Sequence, residues 1–257
     1  MNLFFRLWIL VFIVQTTSIF SFPVKAILFD VFGTCVQVEE SLVSQGEVWS
    51  KTHGVDVNWR AFVRAWMLDH VTTIDEIRKG KLPFRTVDQI HQDSIRRLLP
   101  KYVNGPFHLT QENYFQVAHF WHRLEPWSDV RSSLERLKTQ FQIAPLSNGN
   151  QELLANLAKF GGLPWEIYFS AEQVKHYKPD EQVYAWVEKQ LGFPSSQLML
   201  VASHEYDLRA ARKRGWKTAF VIRSEKRIRE TCASDRSDRE FDFVVNSFNE
   251  LADLILD

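Results

Sequence analysis

Residues 26–37 read AILFDVFGTCVQ. A run of apolar residues delivers one carboxylate, Asp30, to a phenylalanine, a glycine and a threonine. A short, continuous apolar run is the pattern of a strand covered on both faces, as in a parallel sheet between helix layers. A carboxylate at the end of such a strand is therefore placed at a sheet edge.

The rest of the chain repeats this strand pattern after a long interruption. Residues 39 to about 124 hold no comparable strand. Trp59, Phe62, Val63 and Trp66, then Val87, Ile90, Ile95, Leu98 and Leu99, recur at helical spacing instead, and GKLP and NGP break the run into separate helices. Trp49, Trp59, Trp66, Trp121 and Trp127 read first as the core of that helical segment. From EPWSDV onward, strands and helices alternate. FQIAPLSNGN, EIYFSAEQV, LMLVASHEYD, KTAFVI and FDFVV are strands, and the helices between them stop at Gly161–Gly162, Gly192 and Gly215. This alternation predicts an α/β fold: a doubly wound, Rossmann-like parallel sheet with an inserted helical cap. The expected division is core over 23–38 and 125–257, cap over 39–124, and a separate N-terminal segment over 1–22.

Parallel strands share one carboxyl-end edge, where such sheets bind ligands. Four polar clusters should meet there: DVFGT at 30–34, SNGN at 147–150, HYKPD at 176–180 and SHEYD at 203–207. Asp30 can act as a nucleophile that forms an ester and is freed by water. The Thr34 hydroxyl can orient it, and Ser147 and Asn148 offer a hydroxyl and an amide alongside. Lys178 supplies a charge that keeps Asp30 ionised and attracts an anion. Asp207 would pair with Lys178 or position water, and His204 is a base for that water. Singly, each residue reads as an ordinary cap, turn or structural side chain. Their joint placement after successive strands makes the set chemical.

From Lys25 on, the chain resembles the haloacid dehalogenase superfamily, and within it the L-2-haloacid dehalogenase (type II) group. The resemblance runs through FDVFGT, WHRLEPWSDV, LKTQFQIAPLSNGN, GLPWEIYFSAEQVKHYKPDEQVY and MLVASHEYDLRAARKRGWKTAFVIR. It implies that Asp30 is the nucleophile, that Thr34, Ser147, Asn148, Lys178, Tyr184 and Asp207 support it, and that residues 39–124 close over a small carboxylate substrate. It implies no cofactor and no metal. Superfamily phosphatases carry a second aspartate two residues after the nucleophile, where this chain has Phe32. Phe32 can protonate no leaving group, and a halide needs no proton. The implied reaction is attack of Asp30 on C2 of a 2-haloalkanoate, loss of halide, which Asn148 helps to receive, and hydrolysis of the ester to a 2-hydroxy acid. A different small substrate, with a phosphate ester least favoured, and a secreted binding protein with little turnover are the rival readings.

Two pairs of residues depart from the group. Val38 and Glu39 stand where a Trp-Arg pair is common, and Glu205 and Tyr206 stand where Asn and Gly are common. A glutamate at the entrance would repel a carboxylate, so Arg60 or Arg64 is the expected substitute charge.

The N-terminal segment, MNLFFRLWILVFIVQTTSIFSF, has one basic residue, an apolar run over 7–14 and a polar tail. This is the layout of a cleaved secretory signal, and export to a secreted or periplasmic location is expected. The alternative is a membrane anchor, the one route by which a membrane would be a partner. Equal numbers of basic and acidic residues give no case for nucleic acid. The basic stretch from Arg223 to Arg239 reads as a solvated loop, and self-association into a homodimer stays open. The two cysteines, Cys35 and Cys232, are expected as thiols rather than a disulfide.

Overall fold

The computed structural model describes residues 23–223 and 240–256. Six parallel strands form one sheet. They are β1 (Ala26–Phe29), β4 (Gln142–Ser147), β5 (Phe169–Ser170), β6 (Leu198–Ala202), β7 (Lys217–Val221) and β8 (Phe243–Val245), in the order β5-β4-β1-β6-β7-β8. β1 is central, with Ala26 opposite Gln142 on one side and Leu198 on the other. Its side chains alternate between two apolar layers. Ile27 and Phe29 enter the larger layer, while Ala26 and Leu28 enter the smaller one. This two-sided burial is why β1 is apolar throughout rather than alternating with polar residues.

Helices α5 (Val130–Leu137), α6 (Gln151–Gly161) and α9 (Phe248–Leu256) bury their stripes in the larger layer, whereas α7 (Glu181–Leu191) and α8 (Glu205–Lys213) fill the smaller one. The expected glycine stops are present. Gly162 and Gly192 take the left-handed conformation just past α6 and α7.

Between β1 and β4 the chain builds the helical cap from α1 (Glu39–His53), α2 (Trp59–Arg78), α3 (Val87–Leu98) and α4 (Gln111–Ala118). Two short strands missing from the sequence reading, β2 (Asp56–Val57) and β3 (Val103–Asn104), pair antiparallel within it. At two residues each, they are too short to show a period. The cap leaves and rejoins the core side by side: Gln37 N donates to Glu125 O at 2.8 Å, and Trp127 N to Cys35 O at 3.0 Å.

The cap core is aromatic, as expected, with Trp49, Trp59, Phe62, Trp66 and Trp121 all buried, whereas Trp127 lies past the cap, half-buried beside Arg223. α1 crosses α2 at Gly46, where an added Cβ would lie 2.1 Å from the Trp59 ring. Gly46→Ala would gain about 1 kcal/mol of helix propensity, but overpacking of this size outweighs it. The variant should lose about 2–3 kcal/mol in urea unfolding, and unchanged stability would show that the two helices separate easily.

Candidate active site

β1 is followed by a tight curl. Thr34, Cys35 and Val36 all direct their N–H groups to Val31 O, and Gly33 bends the chain at φ +76°. A side chain at Gly33 would be strained there and would also meet the His204 ring at 3.5 Å. Asp30 stands just before the curl, its N–H donating to Val201 O of β6 at 3.0 Å, at the carboxyl end of the strand between β4 and β6.

Around Asp30 the clusters converge. Lys178 Nζ donates to Asp30 Oδ1 at 2.8 Å, to Asp207 Oδ2 at 2.6 Å and to the Leu146 carbonyl at 2.8 Å. An ammonium has three protons, so all are committed. Lys178 therefore acts through its charge rather than as a donor to a substrate. Thr34 Oγ1 donates to Asp30 Oδ2 at 2.6 Å, and His204 Nδ1 lies 2.8 Å from the same oxygen. Because an ionised carboxylate only accepts, that nitrogen carries the proton.

Burial pushes the Asp30 carboxyl up, but Lys178 and His204 outweigh it and hold it well below the usual range. Burial, which Lys178 opposes and the neighbouring Asp30 charge reinforces, holds Asp207 above its usual range. Burial also leads the rise of the Tyr184 phenol, which donates to Asp207 Oδ1. Two carboxylates thus share one lysine, and the nucleophile is the better stabilised anion.

Ser147 is buried and accepts from Gly149 N at 3.1 Å, while Asn148 Oδ1 accepts from Lys178 N at 2.8 Å. That bond leaves the Asn148 amide protons directed away from Lys178. Tyr184 reaches Asp30 only through Asp207 and Lys178.

Arg60 does not join the cluster. It is exposed and forked onto Glu40, at 2.9 and 3.2 Å. Arg64 is likewise held by Glu39 at 2.8 Å. The cause is local, since α1 opens with two acids that lie against the start of α2. The same pairing neutralises Glu39, and Arg209 pairs with Glu205 at 2.6 Å. Neither departure from the group leaves an unpaired negative charge.

Phe32 rises from the curl under the cap, edge-on to Trp121 with ring centres 5.2 Å apart. Cys35 is a buried free thiol; Cys232 and the N-terminal segment lie outside the described residues.

Several site residues escaped the sequence reading. Ser203 N donates to Thr34 Oγ1 at 2.9 Å, which leaves the threonine proton for Asp30. Its signal was its place between an apolar strand and His204. Arg223, expected at the start of a solvated loop, is instead buried just past β7, where its Nε donates to the Thr34 carbonyl at 3.0 Å and braces the curl; residues 224–239 of that stretch lie outside the described residues. Asp88 of the cap accepts from Asn150 Nδ2 at 2.8 Å and lies 2.9 Å from His122 Nε2, tying the cap to the start of α6.

His70 and His91 form a buried pair in the cap, with His91 Nε2 and His70 Nδ1 3.0 Å apart. Burial lowers His70 from 6.5 to about 4. The unfolded ring takes up a proton that the folded ring refuses. The resulting stability is fully present above 6.5 and is lost as pH falls through about 4. Urea unfolding at pH 4.5 should show a loss on the order of 2–3 kcal/mol relative to pH 7 from this ring. His70→Phe should remove that share, and an unchanged pH dependence in the variant would exclude the ring as its source.

Known proteins resemble this chain in sequence and in fold. The L-2-haloacid dehalogenase PA0810 superposes with a TM-score of 0.84 at 33% identity, covering 91% of this chain and 99% of that one. The defluorinating L-2-haloacid dehalogenase Rha0230 gives 0.84 at 30% identity, covering 91% and 96%. A (S)-2-haloacid dehalogenase of Pseudomonas fluorescens is 26% identical over 151 residues, a stretch that spans 64% of that protein and 58% of this chain. One of Burkholderia cepacia is 25% identical over 205 residues, or 83% of its length. The family model for haloacid dehalogenase-like hydrolases matches residues 24–215, and the chain belongs to that family.

Proposed function

We propose that the chain hydrolyses the carbon–halogen bond of short 2-haloalkanoic acids. The observation that carries this is the state of Asp30. It is a buried carboxylate held ionised by Lys178, Thr34 and His204, with a phenylalanine rather than an acid two residues on. Oδ2 accepts from two side chains, whereas Oδ1 meets only Lys178, so Oδ1 is the attacking atom. It bonds to C2 as the carbon–halogen bond breaks, the halide leaves with the electron pair, and C2 inverts. Water then adds to the Asp30 ester carbonyl. Asp207 is 1% exposed and His204 23%, so His204 is the base that water can reach. Its Nε2 takes the water proton, the hydroxy acid departs, and Asp30 is restored.

The test is a panel of 2-chloro, 2-bromo and 2-iodo acids with a chelator present. Equal release of halide and of the 2-hydroxy acid of opposite configuration is expected. Hydrolysis of a phosphate ester with Mg²⁺, and no halide from any haloacid, would overturn the reading.

The layout of residues 1–22 further supports export by a cleaved signal. N-terminal sequencing of the mature protein should begin near residue 19 or 22; a start at Met1 in the membrane fraction would favour an anchor.

A further inference from the structure

The cap lays an aromatic surface over the Asp30 curl. Phe32 meets Trp121 edge-on, and it meets His70 edge-on with ring centres 6.4 Å apart. His70 stacks on Trp121 at 5.2 Å and shares one proton with His91 across 3.0 Å. Both histidines are buried, and each has one further nitrogen. His91 Nδ1 is sealed with no partner. No described residue bonds His70 Nε2 either, but that nitrogen is not sealed, and its ring packs against Phe32.

These facts decide which ring donates. If His70 Nδ1 donated, His91 would carry its own proton on Nδ1, an N–H enclosed with no acceptor. Buried donors without acceptors are rarer and costlier than buried acceptors without donors. His91 therefore donates from Nε2, and His70 must carry its proton on Nε2. A neutral ring presents a fixed N–H donor to the space under the cap.

Displacement by Asp30 expels the halide directly away from the attacking oxygen, and so toward the cap. The anion that develops there needs a donor already in place. The nearby Trp66 and Trp121 indole N–H groups are sealed in the cap core and offer none. We propose that His70 is the cap's halide-binding residue, its Nε2–H donating to the halide as it leaves. This deepens the dehalogenase reading and rests on it. A neutral N–H donor favours compact, strongly accepting halides, so the 2-fluoro and 2-chloro acids depend on it most and the 2-iodo acids least.

The test compares wild type, His70→Phe, which keeps the ring stack, and His70→Gln, which keeps an N–H donor. In His70→Phe, kcat/KM should fall about 30-fold or more for 2-chloropropionate and less than about threefold for 2-iodopropionate, with His70→Gln recovering much of the difference. A uniform loss across halogens would overturn the proposal, because it would assign His70 to the carboxylate or to packing alone. Chloride binding, read from ³⁵Cl line broadening, needs no turnover. Broadening by wild type that is lost in His70→Phe is expected. Equal broadening by both proteins would overturn the proposal even if wild type released no halide, a result that would separately sink the dehalogenase reading.

Discussion

Asp30→Asn should reduce halide release from L-2-chloropropionate by about 10⁴-fold or more, to the level of an assay blank. The substitution is nearly isosteric, and its effect is chemical: a neutral amide does not displace a halide. Lys178 keeps Asp207 and Leu146 as partners in the variant, so the fold should survive and the loss can be read as catalytic. A single turnover of wild type in ¹⁸O-water, with enzyme in excess, gives a sharper version of the test. Water attacks the ester carbonyl, so the label should enter the Asp30 peptide while the product hydroxyl keeps the original carboxylate oxygen. Label found first in the product would mean that Asp30 acts as a base for direct attack by water. That outcome would leave Asp30→Asn inactive and still defeat the covalent route.

The parts of this site that the sequence made legible are those fixed by topology. β1, β4 and β6 are apolar because both faces are covered, and their carboxyl ends must then share an edge, which places Asp30, Ser147 and His204 together. Lys178 was legible for the same reason, as the charge that follows the next strand. Arg60 was misplaced because helical spacing gives the face of a residue but not its partner, and Glu40 claims it. The bond from His204 Nδ1 to Asp30 is not legible in the sequence, which gives the ring a place at the sheet edge but not its direction past the glycine opposite. His70 carried a signal that passed as core packing. Phe62, Trp66 and His70 recur every four residues along one face of α2, so a histidine continues an aromatic stripe. Only the tertiary arrangement, with His91 on one nitrogen and no described partner on the other, separates a polar role from a packing one.

Lys178→Met is expected to be the most destabilising change at the site, by about 3–5 kcal/mol, and to leave activity about 10³-fold lower. In wild type the ammonium lies 2.8 Å from Asp30 Oδ1 and 2.6 Å from Asp207 Oδ2, and both carboxylates are buried. Without it, the two acids repel in a low-dielectric crevice, and one must hold a proton near neutral pH. The sign of the pH dependence follows. In wild type the Asp30 carboxyl is held below its ordinary 3.8, so its share of stability is present above that value and is lost as pH falls further. In Lys178→Met one carboxyl is raised, so the native state binds more protons than the unfolded chain, and stability is lost as pH rises through the raised value. The deficit of the variant relative to wild type should therefore widen from pH 5 to pH 8 in urea unfolding. A deficit that stays constant over that range would mean that Lys178 stabilises by packing and hydrogen bonding rather than by charge. In that case Thr34 and His204, which both bond Asp30 Oδ2, would have to keep the nucleophile ionised without it.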